Sequence, residues 1–262
     1  MGNQALQALR NKKGYICDMD GVIYHGNRLL PGAQAFVDFL QRENKEYLFL
    51  TNSSERAPRE LAQKLQRLGL TVSEDHFYTS ALSTAAFLKE QCPGGSAYVI
   101  GEPGLVGALY DAGFTMNDVN PDYVILGETH TYSYDKIEKA VSLVLKGAKL
   151  IGTNSDLTGP IENGIAPATR ALMSPIVLAT GRTAYYLGKP NPLMMRHGIH
   201  LLGVTNEEAV IIGDRMDTDI VSGIESGIDT VLVLSGVTSV EEMQTFPYQP
   251  KYVLQGVGDI AL

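Results

Sequence analysis

Two periodicities alternate along the chain. Short continuous apolar runs stand at 15–17, 47–50, 97–101, 122–127, 149–153, 209–213 and 230–234. Between them lie longer segments whose apolar residues recur every three or four positions. Continuous runs of this length predict strands buried on both faces, and the longer spacing predicts amphipathic helices. Ala33, Phe36, Val37 and Leu40 mark one such helix after Pro31-Gly32. A second starts near Pro58, whose missing N–H costs nothing in a first turn, carries Leu61, Leu65 and Leu68, and stops at Gly69. Further helices are predicted over about 80–91, 103–112 and 134–147. Val221, Ile224 and Ile228 predict one more, packed on the sheet between the last two strands. Strand and helix alternate throughout, so the fold class is α/β with a largely parallel sheet.

A chain of 262 residues allows one large domain or two modest ones, and a hydrophobic content of 44% suffices for a proper core. The formal net charge of −8 argues against a nucleic-acid polymer as partner. Small phosphorylated ligands remain open to it, because they need only a local positive site. The two cysteines, Cys17 and Cys92, form no CxxC pair or zinc-like cluster and are expected as reduced thiols. The start MGNQALQALRNKKGY lacks the apolar core of a signal peptide. It also departs from a myristoylation start at Leu6. No apolar run approaches the ~18 residues of a membrane span. The expected location is the cytoplasm, with no membrane partner.

Three of the predicted strands end in polar clusters. Asp18, Asp20 and Gly21 follow the first, and Thr51, Asn52 and Ser53 follow the second. Asp214, Arg215, Asp217 and Asp219 follow the strand at 209–213. Ligands of open α/β sheets bind at the carboxyl ends of strands, so neighbouring strands would bring these endings into one crevice. Clustered carboxylates repel unless a cation sits among them or some are protonated. Oxygen ligands favour magnesium or calcium over zinc, and magnesium keeps room for a substrate phosphate. Lys189, between Gly188 and Pro190, offers an ammonium for that phosphate. Gly21, Asn52 and Ser53 offer backbone N–H groups. Each piece alone also fits a solvated turn or a helix cap. The weight comes from all four occurring in order.

DMDGV (18–22), TNS (51–53), GKPNP (188–192) and GDRMDTD (213–219), in that order, resemble the four motifs of the haloacid dehalogenase-like hydrolases. The resemblance is strongest to their NagD-type, nitrophenylphosphatase-like branch, and it covers nearly the whole chain. It implies a Rossmann-like parallel-sheet core from residues 1–80 and 185–262, with a smaller α/β cap of the C2 type inserted at 81–184. It implies a magnesium-dependent phosphatase of small phosphomonoesters, nucleoside monophosphates or sugar phosphates, working through an aspartyl-phosphate. Asp18 would be the nucleophile and Asp20 the general acid–base. Asp18, the carbonyl of Asp20, and Asp214 would hold Mg2+, with Asp219 acting through its water shell. Thr51, Asn52 and Lys189 would bind the phosphoryl oxygens, with Gly21 giving the phosphate room and Asp18 raising the pKa of Asp20. Acidic enzymes of this branch also form homo-oligomers. One departure is TNSD at 153–156, where the family often has proline in place of Ser155.

Competing readings are a phosphomutase or phosphotransferase of the same fold, a dehalogenase, and a non-catalytic phosphometabolite-binding protein. Asp20 argues against the dehalogenase, which needs neither a second aspartate nor a metal. The glycines of GEPGLVGALYDAG (101–113) are misplaced for a dinucleotide turn. HGIH (197–200) lacks a third metal ligand and reads as helix surface. Tyr132, Tyr134, Tyr185 and Tyr186 are expected in core or interface. Loops 127–131 and 153–164 are expected to face substrate, with Glu128, Asn154 and Asp156 as candidate contacts.

Overall fold

The apolar run at 15–17 folds as strand β1 (Gly14–Cys17), with all four residues buried. This computed structural model describes residues 3–161 and 164–261. The chain divides into two compact units. Met1–Leu50, Ala62–Tyr78 and Lys189–Leu262 form the first, and Thr51–Leu61 with Thr79–Gly188 the second.

In the first unit β1 lies inside a six-stranded sheet. Its other members are β2 (Glu46–Thr51), β3 (Phe77–Thr79), β4 (Ala209–Gly213), β5 (Asp229–Val233) and β6 (Tyr252–Leu254). The order is β3-β2-β1-β4-β5-β6. β1 runs parallel to both β2 and β4, β4 to β5, and β5 to β6. This is the doubly wound order of a Rossmann-type sheet, and it reverses between β1 and β4. Val210, Ile211 and Ile212 of β4 are fully buried, each side chain contributing about 1.5–3 kcal/mol. The helix Ala33–Arg42 buries its expected face of Ala33, Phe36, Val37 and Leu40, and adds Phe39. Its entry needs a glycine: Gly32 has φ +80°, and a Cβ there would come within 2.5 Å of Gly258 Cα.

The helix after β4 differs from its expected face. Ile224 is 43% exposed, and Met216 and Ile220 take the buried positions. A π-helical turn at Met216–Ile220 precedes the short helix Val221–Glu225 and shifts its face from a 3.6-residue spacing. Gly223 then brings that helix against Ile211 and Thr230 closely enough that any Cβ would overlap them.

The second unit has its own parallel five-stranded sheet. Its order is Tyr185–Tyr186, Lys149–Gly152, Tyr123–Leu126, Ser96–Ile100, Thr115–Met116. Helices Tyr134–Leu145 and Thr169–Thr180 bury Leu143, Val144, Met173 and Ile176 against Val124, Leu126 and Leu150. Part of the segment expected as a substrate-facing loop pairs instead as an antiparallel ladder, Thr158–Ile161 with Gly164–Pro167. Residues 162–163 of that segment, like Met1 and Gly2 of the myristoylation-like start, lie outside the described residues. The glycine-rich stretch at 101–113 forms helix Pro103–Asp111, and Gly104 serves packing: a Cβ there would lie 2.6 Å from the Arg56 carbonyl carbon. Tyr132 and Tyr186 pack half-buried on the core. Of the core-or-interface expectation for Tyr134 and Tyr185, the core half does not hold: they are 75% and 48% exposed. In the first unit His200 is exposed, whereas His197 is half-buried against the Tyr78 hydroxyl, 2.9 Å from Nδ1. Both cysteines are free thiols. No helix among the described residues is long and apolar enough to cross a membrane.

Candidate active site

The parallel ladder of β1 with β4 sets Cys17 opposite Ile212. It continues one residue further, because the Asp18 N–H donates to the Ile212 carbonyl at 2.9 Å. Asp18 therefore stands at the strand tip beside Asp214, which follows β4 directly. Asp219 returns to the same place through the π-helical turn, over the Cα of Gly213, where a Cβ would overlap its side chain. The Arg215 N–H donates to Asp219 Oδ2 at 3.1 Å. One carboxylate oxygen each from Asp18, Asp214 and Asp219 lie within 4.8 Å of one another. Arg215 pairs with Asp217, which is exposed and outside this trio.

Lys189 is the cation of the cluster and is 2% exposed. Its Nζ donates to Asp18 Oδ1 at 2.8 Å, Asp219 Oδ1 at 2.7 Å and the Leu50 carbonyl at 3.0 Å. Burial alone would lower its pKa, but the two carboxylates raise it above the ordinary lysine value, so it stays charged. Three carboxylates against one ammonium leave two negative charges uncompensated if all ionise.

Asp214 shows where the compensation is missing. Its side chain lies between Gly21 and Gly236, and a Cβ on either glycine would overlap it. Oδ2 accepts from the Val237 N–H at 2.8 Å, whereas Oδ1 is buried with no hydrogen-bond partner. Burial, then repulsion from Asp18 and Asp219, pushes the Asp214 pKa well up. Burial also raises Asp219, to about 6, against the opposing pull of Lys189. A buried, orphaned carboxylate oxygen beside two more carboxylates is a donor set that fits a hard divalent cation.

Asp20 lies outside the trio. Its Oδ1 is 3.4 Å from His25 Nδ1, and its side chain is 34% exposed. Its pKa is raised, by burial and not by Asp18 as expected, while His25 and Lys64 oppose the rise. Gly21 holds φ +78° and donates its N–H to the Tyr24 carbonyl at 2.8 Å.

Thr51, Asn52 and Ser53 group with the second unit. Thr51 Oγ1 accepts from the Ser53 N–H at 3.1 Å. Asn52 Nδ2 donates to Asp156 Oδ2 at 2.9 Å, and the Asn52 carbonyl accepts from Ser80 Oγ at 2.6 Å and Asn154 Nδ2 at 2.8 Å. Glu128 Oε2 accepts from the Ser54 N–H at 3.2 Å and from its hydroxyl, and Glu128 Oε1 from Asn154 Nδ2. Burial raises the Glu128 pKa, opposed by these bonds. The residues anticipated as substrate contacts thus have polar atoms engaged with the 52–54 turn. Ser54 and Ser80 escaped the sequence reading, since small hydroxyl residues after a strand carry no distinguishing pattern.

A doubly wound sheet with three carboxylates and an ammonium gathered at its switch point places polar chemistry where open α/β sheets bind their ligands. Family models give the class: residues 15–115 match that of the haloacid dehalogenase-like hydrolases, and residues 186–260 a second, HAD-hydrolase-like one. The chain is 46% identical to dihydroxyacetone phosphatase of Corynebacterium glutamicum, over 94% of this chain and 90% of that protein. It is 41% identical to ribonucleotide monophosphatase NagD of Escherichia coli, over 95% and 98%. The structure of NagD superposes with a TM-score of 0.89 over the same shares. A 4-nitrophenylphosphatase from Thermotoga maritima gives 0.93 at 32% identity, over 97% and 98%. The chain belongs to the haloacid dehalogenase-like hydrolases. Within them it is a NagD-type phosphoric monoester hydrolase.

Proposed function

We propose that the protein is a magnesium-dependent phosphatase of small phosphomonoesters that works through an aspartyl-phosphate on Asp18. The observation that carries this reading is the orphaned Asp214 Oδ1 beside Asp18 and Asp219. Asp18, the Asp20 carbonyl and Asp214 would hold Mg2+, with Asp219 behind them. The ion would supply charge neutralisation for a phosphate dianion approaching carboxylates.

The chain's own groups do the rest. An Asp18 oxygen forms a bond to phosphorus as the bond to the leaving alkoxide breaks. Asp20, its pKa raised by burial, gives its proton to that alkoxide. Water then attacks the phosphorus of the acyl phosphate. Asp20 takes back a proton, and Asp18 leaves as a carboxylate with inorganic phosphate as product. Lys189 is already within hydrogen-bond distance of Asp18, so its charge attends both displacements. Thr51, Asn52, Ser53 and Gly21 are the proposed phosphoryl-binding partners. Residues 81–184 are proposed as a C2-type cap that restricts substrates to small molecules.

The relatives' names suggest the substrate panel: dihydroxyacetone phosphate, ribonucleoside monophosphates and sugar phosphates. Phosphate release is expected from at least one of these and to require Mg2+. Asp18→Asn is expected to lose at least about 10³-fold in kcat. Retained turnover in Asp18→Asn would remove the nucleophile assignment. Label returned to substrate rather than to phosphate would favour a phosphomutase.

A further inference from the structure

The second unit's sheet places two polar residues side by side. Leu126 and Gly152 end neighbouring parallel strands in register, and the Thr153 N–H extends the ladder to the Leu126 carbonyl at 3.0 Å. Glu128 and Asn154 each lie two residues past those strand ends, so their separation is set by the sheet. Asn154 is fully buried and has no choice of orientation. Its Oδ1 accepts from the Asp156 N–H at 3.1 Å, so Nδ2 must face the Asn52 carbonyl and Glu128 Oε1.

We propose that Glu128 and Asn154 are positioning residues for the Thr51–Ser54 turn, setting how tightly the enzyme holds the phosphoryl group. The inference rests on the phosphate-binding role proposed above for Thr51 and Asn52. Asn154 fixes the carbonyl of Asn52, and Glu128 fixes the N–H of Ser54. The first bond fixes the plane of the Asn52–Ser53 peptide, and with it the direction of the Ser53 N–H, and the second fixes the Ser53–Ser54 plane. Asp156 adds a third hold, on the Asn52 side-chain amide. Every group facing the Glu128 carboxylate in these bonds is a donor: the Ser54 N–H, the Ser54 hydroxyl and the Asn154 amide. A carboxylate satisfies all three, whereas a glutamine in either orientation sets an NH2 against a donor.

The test is steady-state kinetics of Glu128→Gln on the best substrate of the panel, with inorganic phosphate as product inhibitor. Hydrogen bonds to a charged group of this kind translate into about a 10- to 100-fold effect. KM and the phosphate inhibition constant are expected to rise together by that factor, with kcat within about threefold and the melting midpoint within a few degrees. Ser54→Ala, which removes one donor and keeps the N–H, is expected to move both constants the same way by less, and it serves if Glu128→Gln does not fold. Unchanged KM and inhibition constant in an active Glu128→Gln enzyme would overturn this proposal alone, as would loss explained wholly by a collapsed melting midpoint in both variants. A wild type that releases no phosphate from any panel member would overturn it together with the phosphatase reading.

Discussion

The two parallel sheets of this protein end in different chemistry. The six-stranded sheet gathers three carboxylates and a buried ammonium at the tips of β1 and β4. The five-stranded sheet ends in Glu128, Thr153 and Asn154, where the Ser54 hydroxyl and N–H and the Asn154 amide satisfy a single carboxylate and the Thr153 hydroxyl pairs with that of Thr169. The second cluster closes its hydrogen bonds internally. The first leaves an oxygen of Asp214 without a partner and sets three carboxyl groups against one ammonium. A buried polar atom without a partner calls for something to complete it, so the contrast is the one expected if the first cluster takes up a ligand, as proposed, and the second holds a turn.

The largest break in that contrast should come from Lys189→Met. It leaves the buried Asp219 and the partly exposed Asp18 without their shared cation, and removing one partner of a buried pair costs about 3–5 kcal/mol. Chemical denaturation in EDTA is expected to show that loss, with phosphate release abolished. A stability change below about 1 kcal/mol would mean that the ammonium does not offset buried negative charge there.

Magnesium should sharpen the comparison through pH. Asp219 titrates near 6 in the folded chain against about 3.9 when unfolded. A raised carboxyl pKa gives stability that is full below the unfolded value and is lost as pH rises through the folded one. Ionising Asp219 therefore strains the metal-free protein above pH 6, and a bound cation relieves it. At about 100 Kd of Mg2+ the stabilisation is about 2.7 kcal/mol, and the thermal shift should be clearly larger at pH 8 than at pH 5. Equal shifts at both pH values would detach the carboxylate trio from metal binding.

The smallest effect lies far from either strand-tip cluster. Asp229 is held by Lys12 at 3.0 Å and Lys251 at 2.8 Å. Burial works to raise its pKa, but the two ammonium groups prevail and lower it. Its contribution is present above the unfolded value and lost as pH falls through the folded one. Asp229→Asn should cost under about 1 kcal/mol at pH 7, and progressively less as pH falls below the unfolded carboxyl value, in paired denaturation curves. A larger loss at pH 7 would mean that uncompensated charge is not what distinguishes the switch point.

Much of this was legible because strand and helix differ in period. The runs at 47–50 and 209–213 appear as strands whose ends carry the polar groups anticipated. The limits have physical causes. Ile224 misled because a π-helical turn resets the helix face, and periodicity cannot register an extra residue per turn. The strands at 158–161 and 164–167 include Gly159, Pro160 and Pro167, which read as loop. Asp18, Asp214, Asp219 and Lys189 were expected in one crevice, and the structure brings them together. That Asp214 is squeezed by Gly21 and Gly236, residues 215 apart in sequence, leaves no local signal at all.

The bond from the Asp18 amide to Ile212 has a kinetic meaning beyond geometry. It ties the proposed nucleophile's backbone to the end of the ladder between two interior strands, so opening it requires the tips of β1 and β4 to part. In deuterium the Asp18 amide should exchange as slowly as its neighbours in β1. The proposed reacting oxygen then sits on a backbone that opens only with the strand tip, leaving side-chain rotation as the faster motion near the chemistry.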